Sequence, residues 1–224
     1  MITQTIEFMP KLSEPKKMPC YTFSTPAAAC KTGRKLAKIP GSVCFSCYAM
    51  KGNYVYPNVK THRENNLKSL ENLTAWKASM IKLIRGNDTT GFFRWHDSGD
   101  VQSMEHLQAI MDIADAMPDV KFWLPTKEKG MLAKVNRQRP MPDNLTVRLS
   151  MPMMDMAPIG SWPVTSTVIT KAGKVDGVAC NAPANAGKCG TCRACWDKSV
   201  DLIAYPAHGQ KMAKVIRIHA GGQK

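Results

Sequence analysis

Apolar residues recur along the chain with two different periods. Between residues 58 and 86 they fall three and four positions apart, which predicts a helix with one buried stripe. The stripe consists of Leu67, Leu70, Leu73, Trp76, Met80 and Ile84. An alternative is two helices divided near Asn72 and Thr74, because Asn and Thr favour helix ends over helix interiors.

Short runs of bulky residues alternate with the helical patterns. These runs, the mark of buried strands, occur at residues 20–26, 91–95, 120–124, 145–149, 164–170 and 202–205. Ser103 is the predicted cap of a helix that ends before Pro118, and residues 127–138 predict the next helix. Strands separated by helices of this length imply right-handed crossovers and a parallel sheet. We therefore predict an α/β fold, a partial or open parallel (β/α) barrel, because 224 residues fall short of the roughly 250 of an eightfold barrel.

The composition is that of a globular protein. With 44% hydrophobic and 21% charged residues, the chain is neither disordered nor fibrous, and we expect residues 1–224 to form a single domain. It has no run of eighteen apolar residues, and its opening segment lacks the apolar centre of a secretory signal. These features favour a cytoplasmic protein without a membrane partner.

Eight cysteines are the most informative feature of the composition. Cytoplasmic thiols are kept reduced, so metal ligation or redox chemistry is a better interpretation than a disulfide framework. The cysteines lie in two loops, at about residues 20–48 and 180–196. We expect both loops at the carboxyl ends of the strands, where ligands of parallel sheets gather.

The second loop has the more specific spacing. Cys180, Cys189, Cys192 and Cys195 read C-x8-C-x2-C-x2-C. Compact C-x2-C-x2-C runs are typical of four-iron clusters, whereas zinc usually pairs one C-x2-C with a second, distant pair. The spacing favours a [4Fe–4S] cluster on these four residues, with zinc or unliganded buried thiols as alternatives.

The first loop has a looser pattern. Cys20, Cys30, Cys44 and Cys47 read C-x9-C-x13-C-x2-C. We predict a second cluster on Cys30, Cys44 and Cys47, with Cys20 either a further ligand or a buried structural thiol. Three thiolates would leave one iron open to a substrate or cofactor, whereas four would restrict the cluster to electron transfer. Zinc, or one cluster shared by both loops, remains an alternative.

Polar residues follow the second predicted strand. His96, Asp97 and Asp100 are candidate catalytic residues, able to move protons or bind a polar substrate beside a cluster. The alternative is that the carboxylates satisfy loop amides and His96 packs against them. Arg94 and Arg148 lie within strands, where each is either an inward-facing anion ligand or an outward-facing solvated group.

Two further segments flank these candidates. Four methionines follow a strand and suggest an apolar shell around a cluster: Met151, Met153, Met154 and Met156. Four basic residues surround the first cysteine loop, where they offset a cluster's charge, attract an anionic partner or are simply solvated: Lys31, Arg34, Lys35 and Lys38. The net charge of +14 likewise favours anionic partners, including nucleic acid.

Several segments resemble one phage-encoded family, known as gene product eighty-eight. They are CKTG (30–33), GSVCFSCYAMKGNY (41–54), FRWHDSGD (93–100), FWLPT (122–126) and GKCGTCRACW (187–196). The resemblance covers about residues 17–209. It implies a phage origin, a host-cell cytoplasmic location and iron–sulfur binding, without fixing a reaction.

The layout is also distantly similar to that of radical S-adenosylmethionine enzymes. A cysteine loop follows the first strand, and Ser98-Gly99-Asp100 follows the second. This resemblance implies a similar partial barrel with cysteine-rich metal-binding loops. Those enzymes use C-x3-C-x2-C and a Gly-Gly-Glu stretch, whereas this chain has C-x13-C-x2-C and no Gly-Gly-Glu. The departures count against S-adenosylmethionine as a cofactor.

The sequence therefore predicts a redox protein with one or two [4Fe–4S] clusters. It would transfer electrons with a redox partner, or reduce a small-molecule substrate as an oxidoreductase. The main rival is a zinc-stabilised nucleic-acid-binding module, although no zinc-finger spacing or reading helix follows the cysteines. A divergent radical S-adenosylmethionine enzyme is the third hypothesis.

Overall fold

The computed structural model describes residues 8–160, 162–170, 173 and 176–207; both ends of the predicted domain, 1–7 and 208–224, lie outside these residues. The strands are β1 (Thr22–Phe23), β2 (Phe92–Trp95), β3 (Lys121–Thr126), β4 (Leu145–Ser150), β5 (Thr165–Ile169), β6 (Val178–Ala179) and β7 (Leu202–Pro206). The α-helices are α1 (Lys31–Leu36), α2 (Pro57–Ser69), α3 (Leu73–Asn87), α4 (Met104–Asp115) and α5 (Lys129–Gln138). Five 3₁₀ turns lie at Ala27–Ala29, Val43–Ser46, Tyr48–Met50, Gly52–Val55 and Ala194–Trp196.

The strands form one open sheet in the order β1-β2-β3-β4-β5-β7-β6. Every pair of neighbours within it is parallel. The predicted parallel α/β class is therefore confirmed, and the sheet is not closed into a barrel. In the part of the chain that the structure describes, no helix has the length and apolarity that crossing a bilayer requires.

The two faces of the sheet have different coverings. Alternate strand residues such as Phe122 and Leu124 pack with α3, α4 and α5 in the main core. Trp123, between them, belongs to a smaller cluster that also contains Cys20 and Trp196. Because side chains alternate across a strand, this smaller cluster lies on the other face. That face receives the second cysteine loop.

Two predicted helix boundaries are confirmed by capping hydrogen bonds. The chain between residues 58 and 86 forms two helices, and the Asn72 side chain caps the second by accepting from Ala75 N at 3.1 Å. Ser103 Oγ accepts from His106 N at 3.1 Å, and so caps α4 as predicted. Each bond satisfies a backbone donor that has no partner within its helix.

Other elements depend on contacts that the local pattern does not reveal. Residues 31–36, which the sequence places in a loop, form α1 because Glu128 accepts from Thr32 N and Oγ1, both at 2.8 Å. Strand β3 continues beyond its predicted end at residue 124 as far as Thr126, because that residue pairs with Leu149 of β4. Strand β6 was not predicted, since it has only two residues.

Gly99 lies in the turn after β2, where the backbone closely approaches Thr25, just beyond the end of β1. It has φ +81°, and a Cβ there would lie 2.8 Å from the backbone oxygen of Thr25. The same turn is bound by Thr25 N donating to Ser98 O and by Ser98 Oγ donating to Thr25 O, at 3.1 and 3.0 Å. Only glycine allows this approach without displacing the chain that leads to Cys30.

Replacement of Gly99 by Ala should therefore lower the free energy of unfolding by about 2 kcal/mol or more, through steric overlap and strained backbone. Gly130→Ala is the matched control, because a Cβ there meets no described atom within 4 Å and alanine favours a helix. Urea denaturation compares the two. An equal free energy of unfolding for both variants would show that the close approach at Gly99 does not affect stability.

Candidate functional site

The cysteines form two groups that differ from the two sequence loops. The end group lies at the carboxyl edge of the sheet and contains Cys30, Cys44 and Cys47. The face group lies against the second face and contains Cys20, Cys180, Cys189, Cys192 and Cys195. All eight are free thiols. Cys20 therefore lies with the thiols of the second loop. Burial is the main cause of its raised pKa, and the nearby Cys189 thiol adds to the rise.

The end group is brought together by short helical turns. Cys30 immediately precedes α1, Cys44 lies in the 3₁₀ turn Val43–Ser46, and Cys47 follows that turn. The sulfurs of Cys30 and Cys44 both lie within 3.6 Å of the position that a Cβ on Gly33 would occupy. A side chain at Gly33 would thus enter the space between these thiols.

Neighbouring strands hold the end group in place. Glu128, just beyond β3, fixes the start of α1 through its two bonds to Thr32. The methionine-rich segment after β4 lies against the Cys44 turn, where Val43 N donates to Pro152 O at 2.9 Å. Met151 is buried beside it. The apolar segment therefore packs where the sequence predicts a shell.

The face group surrounds an aromatic cluster. Cys20 is only 4% exposed and packs with Trp123 and Trp196, whose ring centroids lie 5.2 Å apart. Cys189 N donates to Lys17 O at 2.9 Å, which joins the second loop to the chain before β1. We expected both loops at the carboxyl ends of the strands, but the structure places this one across the face of the sheet, extending towards the amino end of β1.

Arg148 explains that placement. It is fully buried in β4, and its guanidinium donates to loop carbonyls at 2.6–3.0 Å: those of Ala194, Cys195, Asp197 and Val200. Thr146, on the same side of β4, donates to Trp196 O at 2.8 Å. These hydrogen bonds hold the loop against the middle of the sheet. Arg148 therefore points towards the loop, and its hydrogen-bond acceptors are backbone carbonyls.

Burial controls the protonation of the thiols. It raises the pKa of Cys20 to about 12 and that of Cys195 to about 11, and it also raises those of Cys30, Cys44 and Cys189. Such thiols stay protonated at neutral pH and are poor nucleophiles. They would become thiolates by binding a metal, which releases their protons. Among the described residues, no three His, Cys, Asp or Glu side chains converge on a position for a single metal ion.

Each group has a basic side chain beside it. Arg94 stacks on Trp123, with its guanidinium carbon 4.4 Å from the ring centroid, and donates to the sulfur of Met18 at 3.3 Å. Burial raises the pKa values of Cys20, Cys189 and Cys195, and the charge of Arg94 opposes that rise. Lys127 lies beside the end group and donates to Met151 O at 3.3 Å. Neither cation is within 4 Å of a carboxylate in the part of the chain described here.

His96 lies in the main core rather than beside the thiols. It is 3% exposed and contacts the rings of Phe23, Trp95 and His106. Burial, assisted by the charge of Arg94, lowers its pKa to about 3. A histidine in this environment stays neutral near pH 7. These ring contacts favour the packing alternative, and a catalytic role for His96 stays a prediction.

Asp97 ties together the segments around the end group. Its carboxylate accepts from Ser24 and from Tyr54 at 3.2 Å, and it pairs with Arg63 at 3.6 Å. Its backbone oxygen accepts from the Tyr48 hydroxyl. These partners lie in the segment after β1, in two 3₁₀ turns and in α2, so Asp97 holds these segments together.

Asp100 is the candidate closest to the end group. Its oxygens accept from Thr126 Oγ1 at 2.6 Å and from Lys127 N at 2.9 Å. Burial raises its pKa to about 6, although these hydrogen bonds oppose the rise. Its charge contributes to the raised pKa values of Cys30 and Cys44. Asp100 thus combines proximity to the thiols of the end group with a pKa near neutrality.

Sequence reasoning missed Lys127 and Glu128 as residues of this site. Both follow β3, so the rule that sites form at the carboxyl ends of parallel strands was the available signal. It also missed that Trp123 packs against Cys20 and Trp196. Trp123 lies on the face of β3 that the helices do not cover, and the sequence alone does not show which face that is.

A family model confirms the resemblance found in the sequence. The model described as Gene product 88 matches residues 4–198, which is most of the 224-residue chain. The chain belongs to the Gene product 88 family. No curated protein and no solved structure matches it. All eight cysteines of both thiol groups lie within the matched region.

The low pKa of His96 predicts a specific pH dependence. Unfolded histidine has a pKa near 6.5, so between about pH 6.5 and 3 the unfolded chain binds a proton at His96 that the native protein does not. The free energy of unfolding should fall as the pH is lowered through this range. His96→Asn should reduce that slope by up to about 1.4 kcal/mol per pH unit.

Urea denaturation at pH 7, 6 and 5 measures both slopes. Asp100 acts in the opposite direction, because its raised pKa favours proton uptake by the native state, but it is common to both proteins. Parallel pH profiles for the two proteins would contradict the buried, neutral state of His96.

Proposed function

We propose that this protein is a cytoplasmic iron–sulfur redox protein. The face group would hold one [4Fe–4S] cluster through Cys180, Cys189, Cys192 and Cys195, with Cys20 as a fifth thiol beside them. The end group would hold a second cluster through Cys30, Cys44 and Cys47. Bound clusters would supply one-electron chemistry, either electron transfer or reduction of a small substrate.

The observation that carries the proposal is that each thiol group lies beside a cation that forms no ion pair within 4 Å in the described chain. A positive charge removed from water is costly unless an anion offsets it. The groups that act on Arg94 are Tyr48, Asp97, Tyr205 and Cys195, and those that act on Lys127 are Asp100 and the three thiols of the end group. Thiolates that ligate a cluster would add negative charge beside both cations. Charge and hydrogen bonds near the sulfurs also set a cluster's reduction potential.

The end group differs from the face group in having three thiols. Three thiolates leave one iron of a cubane without a protein ligand. Asp100 and Lys127 lie at this end and could orient a polar substrate on the open iron. The proposal therefore assigns substrate chemistry to the end group and electron delivery to the face group. This division, and the open sheet, agree with a layout similar to radical S-adenosylmethionine enzymes.

The two groups are also linked through Arg94. Its guanidinium lies near Cys195 and Tyr205 of the face side and near Tyr48, the residue that follows Cys47. Arg94 thus has electrostatic neighbours on the side of each group. If the two clusters lie close enough, electrons would pass between them.

Metal analysis of anaerobically purified protein tests the proposal. Two four-iron clusters predict about eight irons and eight acid-labile sulfides per chain, with a brown colour. Cys47→Ser should remove the end-group cluster, and Cys195→Ser the face-group cluster, so that each variant retains about half of the iron. The two variants are controls for each other.

Other outcomes would assign a different function. Stoichiometric zinc without sulfide would replace the proposal with the zinc-stabilised nucleic-acid-binding module. Loss of all iron in both variants would indicate a single cluster shared by the two groups. Reductive cleavage of S-adenosylmethionine to deoxyadenosine would place the protein among the radical enzymes.

Arg94 provides a separate prediction on the reduction potential. Replacing it with Met removes a positive charge beside the face group, which destabilises the more negative reduced cluster and should lower its potential. Arg94→Lys keeps the charge and should shift the potential less. Arg139→Met is the control, because that arginine pairs with Asp112 and Asp115 on the helical side. Redox titration followed by electron paramagnetic resonance measures each potential, and equal values in all variants would contradict the electrostatic role of Arg94.

A further inference from the structure

The chain around the end group exposes an unusual number of large apolar side chains. Of the nine that are most exposed among the described residues, six lie between residues 39 and 56: Ile39, Phe45, Tyr48, Met50, Val55 and Tyr56. Helix α1 packs against the Val43–Ser46 turn, and the Tyr48–Met50 turn packs against the Gly52–Val55 turn. We call the surface formed by residues 31–56 the loop surface. Exposed apolar clusters of this kind mark binding sites.

Three of the six are aromatic. Phe45, Tyr48 and Tyr56 are 42%, 55% and 56% exposed. The Tyr48 ring is fixed, because its hydroxyl donates inward to Asp97 O and its edge contacts Tyr54 at a centroid distance of 5.4 Å. A ring held in place loses little conformational entropy when a ligand stacks on it.

The same surface is strongly basic. No Asp or Glu occurs between Glu14 and Glu64. The loop surface exposes four cations: Lys31, Arg34, Lys35 and Lys38. None of these is within 4 Å of a carboxylate of the described chain. The ligand of this surface should therefore be an anion.

We infer that the loop surface binds single-stranded nucleic acid. Cations that contact phosphates, combined with aromatic rings on which bases stack, are what sequence-independent single-strand binding requires. A duplex hides the faces of its bases and could use only the cations. An acidic protein could pair with the cations, but its binding would not require exposed aromatic rings. This binding function goes beyond the proposed redox function, because the four cations and three aromatic rings that would contact the strand are not thiols.

Fluorescence anisotropy with a labelled 20-nucleotide oligo(dT) tests the inference on the full chain. The single strand should bind more tightly than a duplex of equal length. Three or four phosphate contacts predict a slope of log K against log salt of about −2 to −3. Phe45→Ala and Tyr56→Ala should each weaken binding by about fivefold or more, because stacking contributes about 1–3 kcal/mol per base.

Ile159→Ala is the matched control, since Ile159 is an exposed apolar residue outside the loop surface. Iron is measured in every variant, so that a lost cluster is distinguished from a lost surface contact. Equal affinity for duplex and single strand, or unchanged affinity in both aromatic variants, would overturn the inference. So would tight binding of an acidic flavodoxin-type protein with no binding of the oligonucleotide.

Discussion

The arrangement of the second sheet face depends on one buried arginine. Arg148 carries its charge into the centre of β4 and distributes it over a set of backbone carbonyls from the loop that contains Cys195. A buried carbonyl without a donor costs about 1–3 kcal/mol, so these hydrogen bonds stabilise the position of the loop. The interaction therefore fixes the loop, the loop fixes Trp196, and Trp196 completes the cluster that buries Cys20.

The fixed loop gives the molecule two chemically distinct thiol groups. Five thiols lie over the sheet beside Arg94, and three lie at the carboxyl edge beside Lys127. Burial raises the pKa values of Cys20, Cys30, Cys44, Cys189 and Cys195, and the charges of Arg94 and Lys127 oppose that rise at several of them. In the turn after β2, Asp97 holds the scaffold through its hydrogen bonds, whereas Asp100 lies beside the end group.

The sequence predicted those features that depend on local periodicity. The stripe on α3, the cap at Ser103 and the strands β2, β3 and β4 follow from residue spacing, because their side chains pack against one consistent face. It could not assign Cys20, since the contact with Cys189 joins residues 169 positions apart. Nor could it choose the direction of Arg148, whose partners are carbonyls that carry no side-chain signal. The α1 helix was missed for the same reason, as its stabilising carboxylate lies in another element.

The proposed redox function requires that the two thiol groups ligate iron and sulfide. Anomalous X-ray scattering from a crystal of anaerobically purified protein, recorded on either side of the iron absorption edge, locates the metal directly. We expect one iron peak among Cys30, Cys44 and Cys47 and another among the sulfurs of the face group. A map with no iron peak at either group, or with anomalous signal only at the zinc edge, would contradict it.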